Sequence, residues 1–551
     1  MTAQFGGDPC HQTKSKWLSW NATCSPPSSG GASKPAITKA MLNVSAWVSK
    51  LTYDADAAAT MTSSDANLNA VWELCRYTIE AGALDMWTDS NARQRSTDCA
   101  ADDVTAMQGQ YATSNELALQ LFQTEQLVGD GVYTGSGAKV QELRADWEIL
   151  RIIQVRNHVL HTGDLGFAAK AFDFMVANLS NVHLISKTTG LVEGQQCLVD
   201  WPKGMQDNFV SSETSTITSA WVYYGLTALV DLAGWLGRGQ DAASLNAHAV
   251  ALKAAMNEKQ FNGSAFCDGL CSNISHTAFH SSFHPLAFGA VSDANRIATW
   301  KYVRSRVNPP FARVAESPAD AAAAPGNADE EGGRASASGS GPSPPRQTPW
   351  PPPEPSTGVG LPCGVHPSQF AVIALYANTV DRGAAALATL TSDAKNSWVN
   401  MLKQGATMTM EMWTADEKPN LTWSHPWASS PAYIVAWYLF GMQATSPGMK
   451  TMRIVPAVGT LEHGRYVLPT VRGRVTTSFT QTAGRFTLEI SLPPTIAAEV
   501  RVPLPIDIKA EDVVTASVTA NGQPAQRYAV EAGYVSVGTV SGGVHRFVVS
   551  L

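Results

Sequence analysis

Charge is scarce in this chain. Only 15% of its 551 residues are charged, and the balance is acidic, with a formal net charge of -7 and a pI near 6.0. Nucleic-acid binders usually present a basic face, so this balance argues against a nucleic-acid partner. No apolar run approaches the roughly 20 residues that span a bilayer, and no membrane partner is expected. The eight cysteines include no Cys-x-x-Cys pair, which argues against a zinc ribbon. The glycine-rich GDGVYTGSG lacks the lysine of a phosphate-binding loop and reads as a turn. No exact internal repeat marks a strict solenoid. The first residues, MTAQFGGDPCHQTKSKW, lack the charged-then-apolar pattern of a secretory leader. No cofactor and no metal is called for.

What remains is long and apolar enough, at 44% hydrophobic, for two or three domains, one of them large. Residues 1–60 are loop-rich. From Ser63 the stretch SSDANLNAVWELCRYTIEAGALD places Leu68, Val71, Leu74, Cys75 and Ile79 at helical spacing behind the cap candidate Asp65. Similar patterns recur to about residue 446, among them VTAMQGQYATSNELALQLFQ, ADWEILRIIQVRNHVLHTG, SHTAFHSSFHPLAFGAV and SPAYIVAWYLFGM. They predict about a dozen helices, and successive helical hairpins can close into an α/α barrel with loops lining a cleft at one end. Residues 314–358 hold almost no apolar side chain besides alanine and read as a disordered insertion. From 447 to 551, runs such as RFTLEISLP and HRFVVSL predict a C-terminal antiparallel β-sandwich domain. Six Asn-x-Ser/Thr sequons, at Asn21, Asn43, Asn178, Asn262, Asn273 and Asn420, point to a secreted glycoprotein. Cys267 and Cys271 are close in sequence, but pairing does not follow from spacing alone.

The sparse charge is concentrated. DMWTDSNARQRSTDCAADD, residues 85–103, packs Asp85, Asp89, Asp98, Asp102 and Asp103 with Arg93, Arg95 and Trp87. Acids beside fixed arginines have shifted proton affinities, which suits acid–base chemistry. A cap at Ser96 or Thr97, with the acids offsetting a helix dipole, explains the same stretch about as well. A second focus, residues 405–431, holds Glu411 between methionines, followed by His425 and flanked by Trp398, Trp413, Trp423 and Trp427. A carboxylate in apolar surroundings suits a general base, and the tryptophans suggest a wall for sugar stacking. A packed turn with a satisfied glutamate is the plainer alternative. The third focus is Asp200–Trp201, with Trp147–Glu148 before it, where sugar binding and ordinary capping are about equally good readings. His276, His280 and His284 share helical spacing but lack a companion carboxylate motif, so packed or cleft-lining histidines are favoured over a metal site.

These foci, with VDWPKG, HSSFHPLAFG, GLPCGVHPSQF and SWVNMLKQGATMTMEMW, resemble the α-L-rhamnosidases of glycoside hydrolase family 78 over about residues 63–505. The resemblance implies an (α/α)6 six-hairpin barrel at 61–446 followed by the β-sandwich. It also implies inverting release of terminal α-L-rhamnose from a carbohydrate substrate, by one acid and one base on either side of a water. Glu411 matches the base. Asp89 matches a sugar-binding aspartate, and Arg93, Trp87, Trp147, Asp200, Trp201, His284, Trp413, His425 and Trp427 are further binding candidates. The family's acidic glutamate is missing: Gln94 follows Arg93 at that position, or Ser96 in the alternative register. Asp98 is the nearest substitute acid, with Glu148 as another; Asp98 or Asp102 is expected to face Glu411. A carbohydrate-binding barrel without turnover and a polysaccharide lyase are the rival readings. Residues 1–60 are expected to be the remnant of a preceding β domain in an N-terminally shortened chain. Linkage, aglycone and assembly state are not encoded in these motifs.

Overall fold

The computed structural model describes residues 2–4, 17–19, 58–83, 86–90, 100–134, 144–195, 197–307, 360–417, 420–505, 517–524 and 529–550. The expected insertion at 314–358 lies outside them. The chain forms two units, Met1–Asp54 and Ala55–Leu551. In the first, β1 (Thr2–Gln4) pairs antiparallel with β2 (Trp17–Ser19).

In the second unit, α1 (Ala66–Gly82) starts where the Asp65 carboxylate accepts from Leu68 N–H, and it buries Leu68, Val71, Leu74, Cys75 and Ile79 on one face. Next come α2 (Ala100–Thr113), α3 (Ala118–Thr134), α4 (Ala145–Thr162), α5 (Gly166–Phe174), α6 (Thr216–Trp235) and α7 (Gly239–Lys259). Then follow α8 (Phe279–Ala287), α9 (Asp293–Arg306), α10 (Ser368–Leu375), α11 (Ala384–Leu390), α12 (Trp398–Lys403) and α13 (Pro431–Ile434). α4 ends at Gly163, whose φ of 80° is the left-handed conformation that glycine adopts without steric cost.

The helices α2, α4, α6, α8, α10 and α13 each pack on the next, and α13 returns to α2. That closes an inner ring of six. The intervening helices lie outside it. Burial follows this division: all of α2 is buried, whereas 21-residue α7 buries only Leu245, Ala249, Leu252, Ala255 and Met256, one stripe. The ring is the six-hairpin barrel. Contacts of Asp102 with His425, of Asp146 with Leu198 N–H, and of Asp200 with His280 and Gly364 N–H bring the starts of these inner helices together at one end.

Two helical patterns break differently from the sequence expectation. VTAMQGQYATSNELALQLFQ is split between α2 and α3, because Gln110 Nε2 donates to Glu116 O across the gap and Glu116 Oε1 accepts from Ala118 N–H at the start of α3. The histidine-rich helix begins only at Phe279, so His276 stands outside it.

The C-terminal strands are β4 (Met442–Ala444), β5 (Thr451–Ile454), β6 (His463–Thr470), β7 (Gly473–Thr482), β8 (Arg485–Pro503), β9 (Ser517–Ala520), β10 (Gln523–Pro524), β11 (Ala529–Glu531) and β12 (Tyr534–Ser550). With β3 (Thr60–Ser63) they form one ten-stranded sheet, antiparallel except where β5 joins β8. The expected sandwich takes the form of two half-sheets sharing β8 and β12. One half pairs Arg485–Leu492 with Gly543–Ser550; the other pairs Ala497–Pro503 with Tyr534–Ser541, and register breaks lie at Ser536/Gly538 and Ser541/Gly543.

β3 leads into α1 yet pairs with β6, Thr60 opposite Val467, so the sheet and the barrel are stitched at the barrel's first helix. Tyr466 strengthens the seam: its buried hydroxyl donates to Ala112 O at 2.9 Å, and its ring meets Trp72 edge-on. Tyr466→Phe leaves that carbonyl unsatisfied. It is expected to lower unfolding free energy by about 1–2 kcal/mol in urea titration with the fold retained.

Candidate active site

The described residues singled out in the sequence as catalytic or binding candidates lie on the inner helices or on the segments that precede them, whose starts are joined by direct contacts. Glu411 sits in the long connection between α12 and α13. That connection doubles back on itself. His425 N–H donates to Thr409 O and Thr409 Oγ1 donates to His425 O, each at 2.8 Å, while Glu411 N–H donates to Thr422 O at 3.0 Å. The turn is fixed to α1 by Thr409 N–H donating to Thr78 Oγ1 and is closed by Trp427 Nε1 donating to Glu411 O. Glu411 is 3% exposed, between buried Met410 and Met412, and its Oε2 accepts from Thr422 N–H at 3.1 Å.

Across from this turn stands the first turn of α2. Asp102 Oδ1 lies 3.4 Å from His425 Nε2, both side chains being almost fully buried. Of the two acids expected to approach the Glu411 segment, Asp102 therefore reaches it through His425. Asp98, Gln94 and Arg93 lie outside the described residues, as does Asp85. Asp103 Oδ2 accepts from Gln123 Nε2 at 2.9 Å, and Gln123 Oε1 accepts from Trp87 N–H at 3.2 Å. Gln123, on the outer helix α3, thus holds both ends of the acidic stretch; no local pattern in the sequence marks it. Asp89 is fully buried.

Asp200 is fully buried and held by three donors. His280 Nε2 lies 2.7 Å from its Oδ2, Gly364 N–H donates to Oδ2 at 2.7 Å, and Trp201 N–H donates to Oδ1 at 2.6 Å. That is the geometry of a fastener rather than of a carboxylate open to sugar hydroxyls. Burial pushes its proton affinity up, and the His280 contact opposes that. The fastener reaches the Glu411 segment, because Trp413 Nε1 donates to Cys363 O, next to Gly364, at 2.7 Å.

The four tryptophans near Glu411 do not form one wall. Trp398 and Trp413 are both 0% exposed and meet edge to face, so they belong to the core. Trp427 stands between His425 and His366, and Trp423 is exposed. Among the other binding candidates, Trp201 is 47% exposed, Trp147 is half-buried, and Trp87 is buried. His284 is packed among Trp221, Phe283, Phe288 and Phe370, its Nδ1 3.0 Å from His280 O, so it too is a core residue. His276 pairs with buried Asp268 at 2.6 Å.

These segments also hold buried polar groups, of which His366 and Asp146 were not singled out in the sequence. Trp87 Nε1, Trp147 Nε1 and His366 Nε2 are buried ring nitrogens with no protein partner among the described residues. Burial raises Asp146, at the start of α4, to about 7. Glu148 is also raised by burial, against a hydrogen bond from Asn181 and the charge of Arg151. The converging helix N-termini favour negative charge at this end, which suits the acids gathered there.

Desolvation lowers His366 to about 4 and His161 to about 3, from an ordinary value of 6.5. Below pH 6.5 the unfolded chain takes up protons that these rings refuse in the fold. Stability is therefore expected to fall as pH drops from 6.5 toward those values. His366→Gln should flatten the slope of unfolding free energy against pH in that window by about one proton, measured by denaturant titration at several pH values.

The profile of the bacterial alpha-L-rhamnosidase 6 hairpin glycosidase domain matches residues 56–308, and that of the bacterial alpha-L-rhamnosidase C-terminal domain matches residues 441–516. No curated protein matches the chain. Among solved structures, an alpha-L-rhamnosidase from Dictyoglumus thermophilum superposes with a TM-score of 0.65 at 15% identity, covering 90% of this chain and 51% of its own. The GH78 family rhamnosidase of Bacillus sp. GL1 gives 0.60 at 20% identity, covering 82% and 43%. The Streptomyces avermitilis alpha-L-rhamnosidase complexed with L-rhamnose gives 0.62 at 17%, covering 89% and 42%. The chain thus spans about half the length of these structures. With one barrel profile, one C-terminal profile and a closed ring of six hairpins, the chain belongs to the bacterial alpha-L-rhamnosidase family of six-hairpin glycosidases.

Proposed function

We propose that this protein is a glycoside hydrolase that releases terminal α-L-rhamnose from glycosides or polysaccharides with inversion, using Glu411 as general base. The observation that carries the reading is the placement of Glu411. It is a buried carboxylate fixed by its own backbone ladder, on the same turn as His425, which contacts Asp102 of the acidic stretch. An inverting enzyme needs two carboxyl groups on opposite sides of a water-sized gap. The acidic stretch supplies the opposing wall, with Asp98 and Asp102 as candidate donors in place of the glutamate that Gln94 replaces.

In this mechanism Glu411 takes a proton from water as the water attacks the anomeric carbon, and an acid of the 85–103 stretch protonates the departing oxygen. Thr422 holds one Glu411 oxygen, which fixes the direction of the other. Trp201 and Trp147 offer ring surface to the sugar, and Asp200 positions Trp201 through its backbone N–H. The barrel at 61–446 carries the chemistry in this reading, and the sheet domain at 447–551 supports it. Export through the secretory pathway is part of the proposal, supported by the Cys267–Cys271 disulfide and the sequons. No helix among the described residues is long and apolar enough to cross a membrane.

Glu411→Gln keeps the shape and removes the base. It is expected to lower kcat on an aryl α-L-rhamnoside by roughly a thousandfold or more with KM little changed. Unchanged turnover would remove Glu411 from the mechanism. A parallel loss in Asp98→Asn but not in Asp102→Asn would identify Asp98 as the donor, and the reverse pattern would identify Asp102.

A further inference from the structure

The connection between α7 and α8 carries two sequons, Asn262–Gly263–Ser264 and Asn273–Ile274–Ser275, on either side of the Cys267–Cys271 disulfide. Phe261 and Phe266 pair as an isolated bridge, so Asn262 sits at the tip of a small hairpin. Asn262, Gly263 and Ser264 are all exposed, and a Cβ placed at Gly263 would meet nothing within 4 Å. The Asn262 Oδ1 accepts from Ser264 N–H, Ser264 Oγ and Ala265 N–H, each at 3.0 Å. This turn brings the sequon hydroxyl onto the side-chain amide, and its Nδ2 has no acceptor among the described residues. Asn273 and Ser275 are exposed where a turn opens into extended chain, and Asn273 Oδ1 accepts from Ser272 Oγ at 2.8 Å.

The remaining described sequons are built differently. Asn178 lies in a helical turn where its Nδ2 donates to Phe174 O, and Ser180 is buried with its hydroxyl donating to Val176 O. The sequon of Asn420 ends in buried Thr422, whose N–H is held by Glu411. Asn21 and Asn43 lie outside the described residues.

We propose that Asn262 and Asn273 carry N-linked glycans, so that this one loop bears both marks of passage through an oxidising, glycosylating compartment. The transfer joins the asparagine Nδ2 to the anomeric carbon of a lipid-linked oligosaccharide pyrophosphate. That carbon's bond to the pyrophosphate oxygen breaks, and the amide proton leaves with the lipid pyrophosphate. Both sites are exposed on the loop. Between them, buried Asp268 accepts from Val210 N–H, Ala278 N–H and Ser281 Oγ and pairs with His276, binding the loop to its neighbours.

The test is site mapping on the full chain, directed into the secretory pathway of yeast by a heterologous leader. Secreted and retained protein are both collected, and glycans are released enzymatically in heavy-oxygen water. Labelled aspartate is expected at 262 and 273 in most copies, with lower occupancy at 178 and 420. Ser264→Ala should abolish labelling at 262 alone, and Ser275→Ala at 273 alone. Unlabelled Asn262 or Asn273 in protein that has entered the pathway would overturn the proposal, as would labelling that survives loss of the serine. Because the readout is chemical, it stands apart from whether the protein hydrolyses rhamnosides.

Discussion

The site depends on the doubled-back turn between Thr409 and His425. Its described residues form neither strand nor helix, and it is held by backbone bonds between Thr409 and His425 and between Glu411 and Thr422, with Trp427 closing it. The consequence is positional. A glutamate whose side chain could sample many rotamers is confined by burial and by one hydrogen-bonded oxygen, and its neighbour His425 is brought to Asp102 on another inner helix. In the proposed mechanism, preorganisation of this kind removes the entropy of placing the base at the moment of reaction.

The barrel makes such a turn useful. Contacts at the starts of the inner helices bring together segments that lie far apart in sequence. The buried Asp200 ties three of them together: its own loop, the Gly364 loop before α10 and, through His280, helix α8. Removing one partner of a fully buried pair leaves an uncompensated polar group, which commonly costs about 3–5 kcal/mol. Asp200 and His280 thus stabilise the junction of these segments as well as ordering it. The sheet domain adds a clamp at the other end of the chain, since β3 and Tyr466 bind it to α1 and α2.

Much of this was legible in the residues, and the limit is physical. α1, with its Asp65 cap and 3.6-residue spacing, and α4, with Gly163 as its stop, are local features that sequence encodes directly. The break between α2 and α3 was not, because the side-chain bonds of Gln110 and Glu116 override a continuous apolar pattern. Glu411 and the acidic stretch stood out by composition. The role of Asp200 did not, since its partners lie 80 and 164 residues away in sequence. Trp413 and His284 looked like cleft residues by type and turned out to be core, because residue type does not distinguish a ring facing sugar from one facing another ring. Gln123 carries no motif, and His366 sits in GLPCGVHPSQF without standing out in it; only the fold gives them neighbours.

The central claim is that Glu411 activates water across from a separate acid, which fixes the stereochemistry of the product. Proton nuclear magnetic resonance during hydrolysis of an aryl α-L-rhamnoside reads this directly. The account predicts that β-L-rhamnose appears first and mutarotates afterward. First appearance of the α anomer, or no hydrolysis by folded protein, would contradict it.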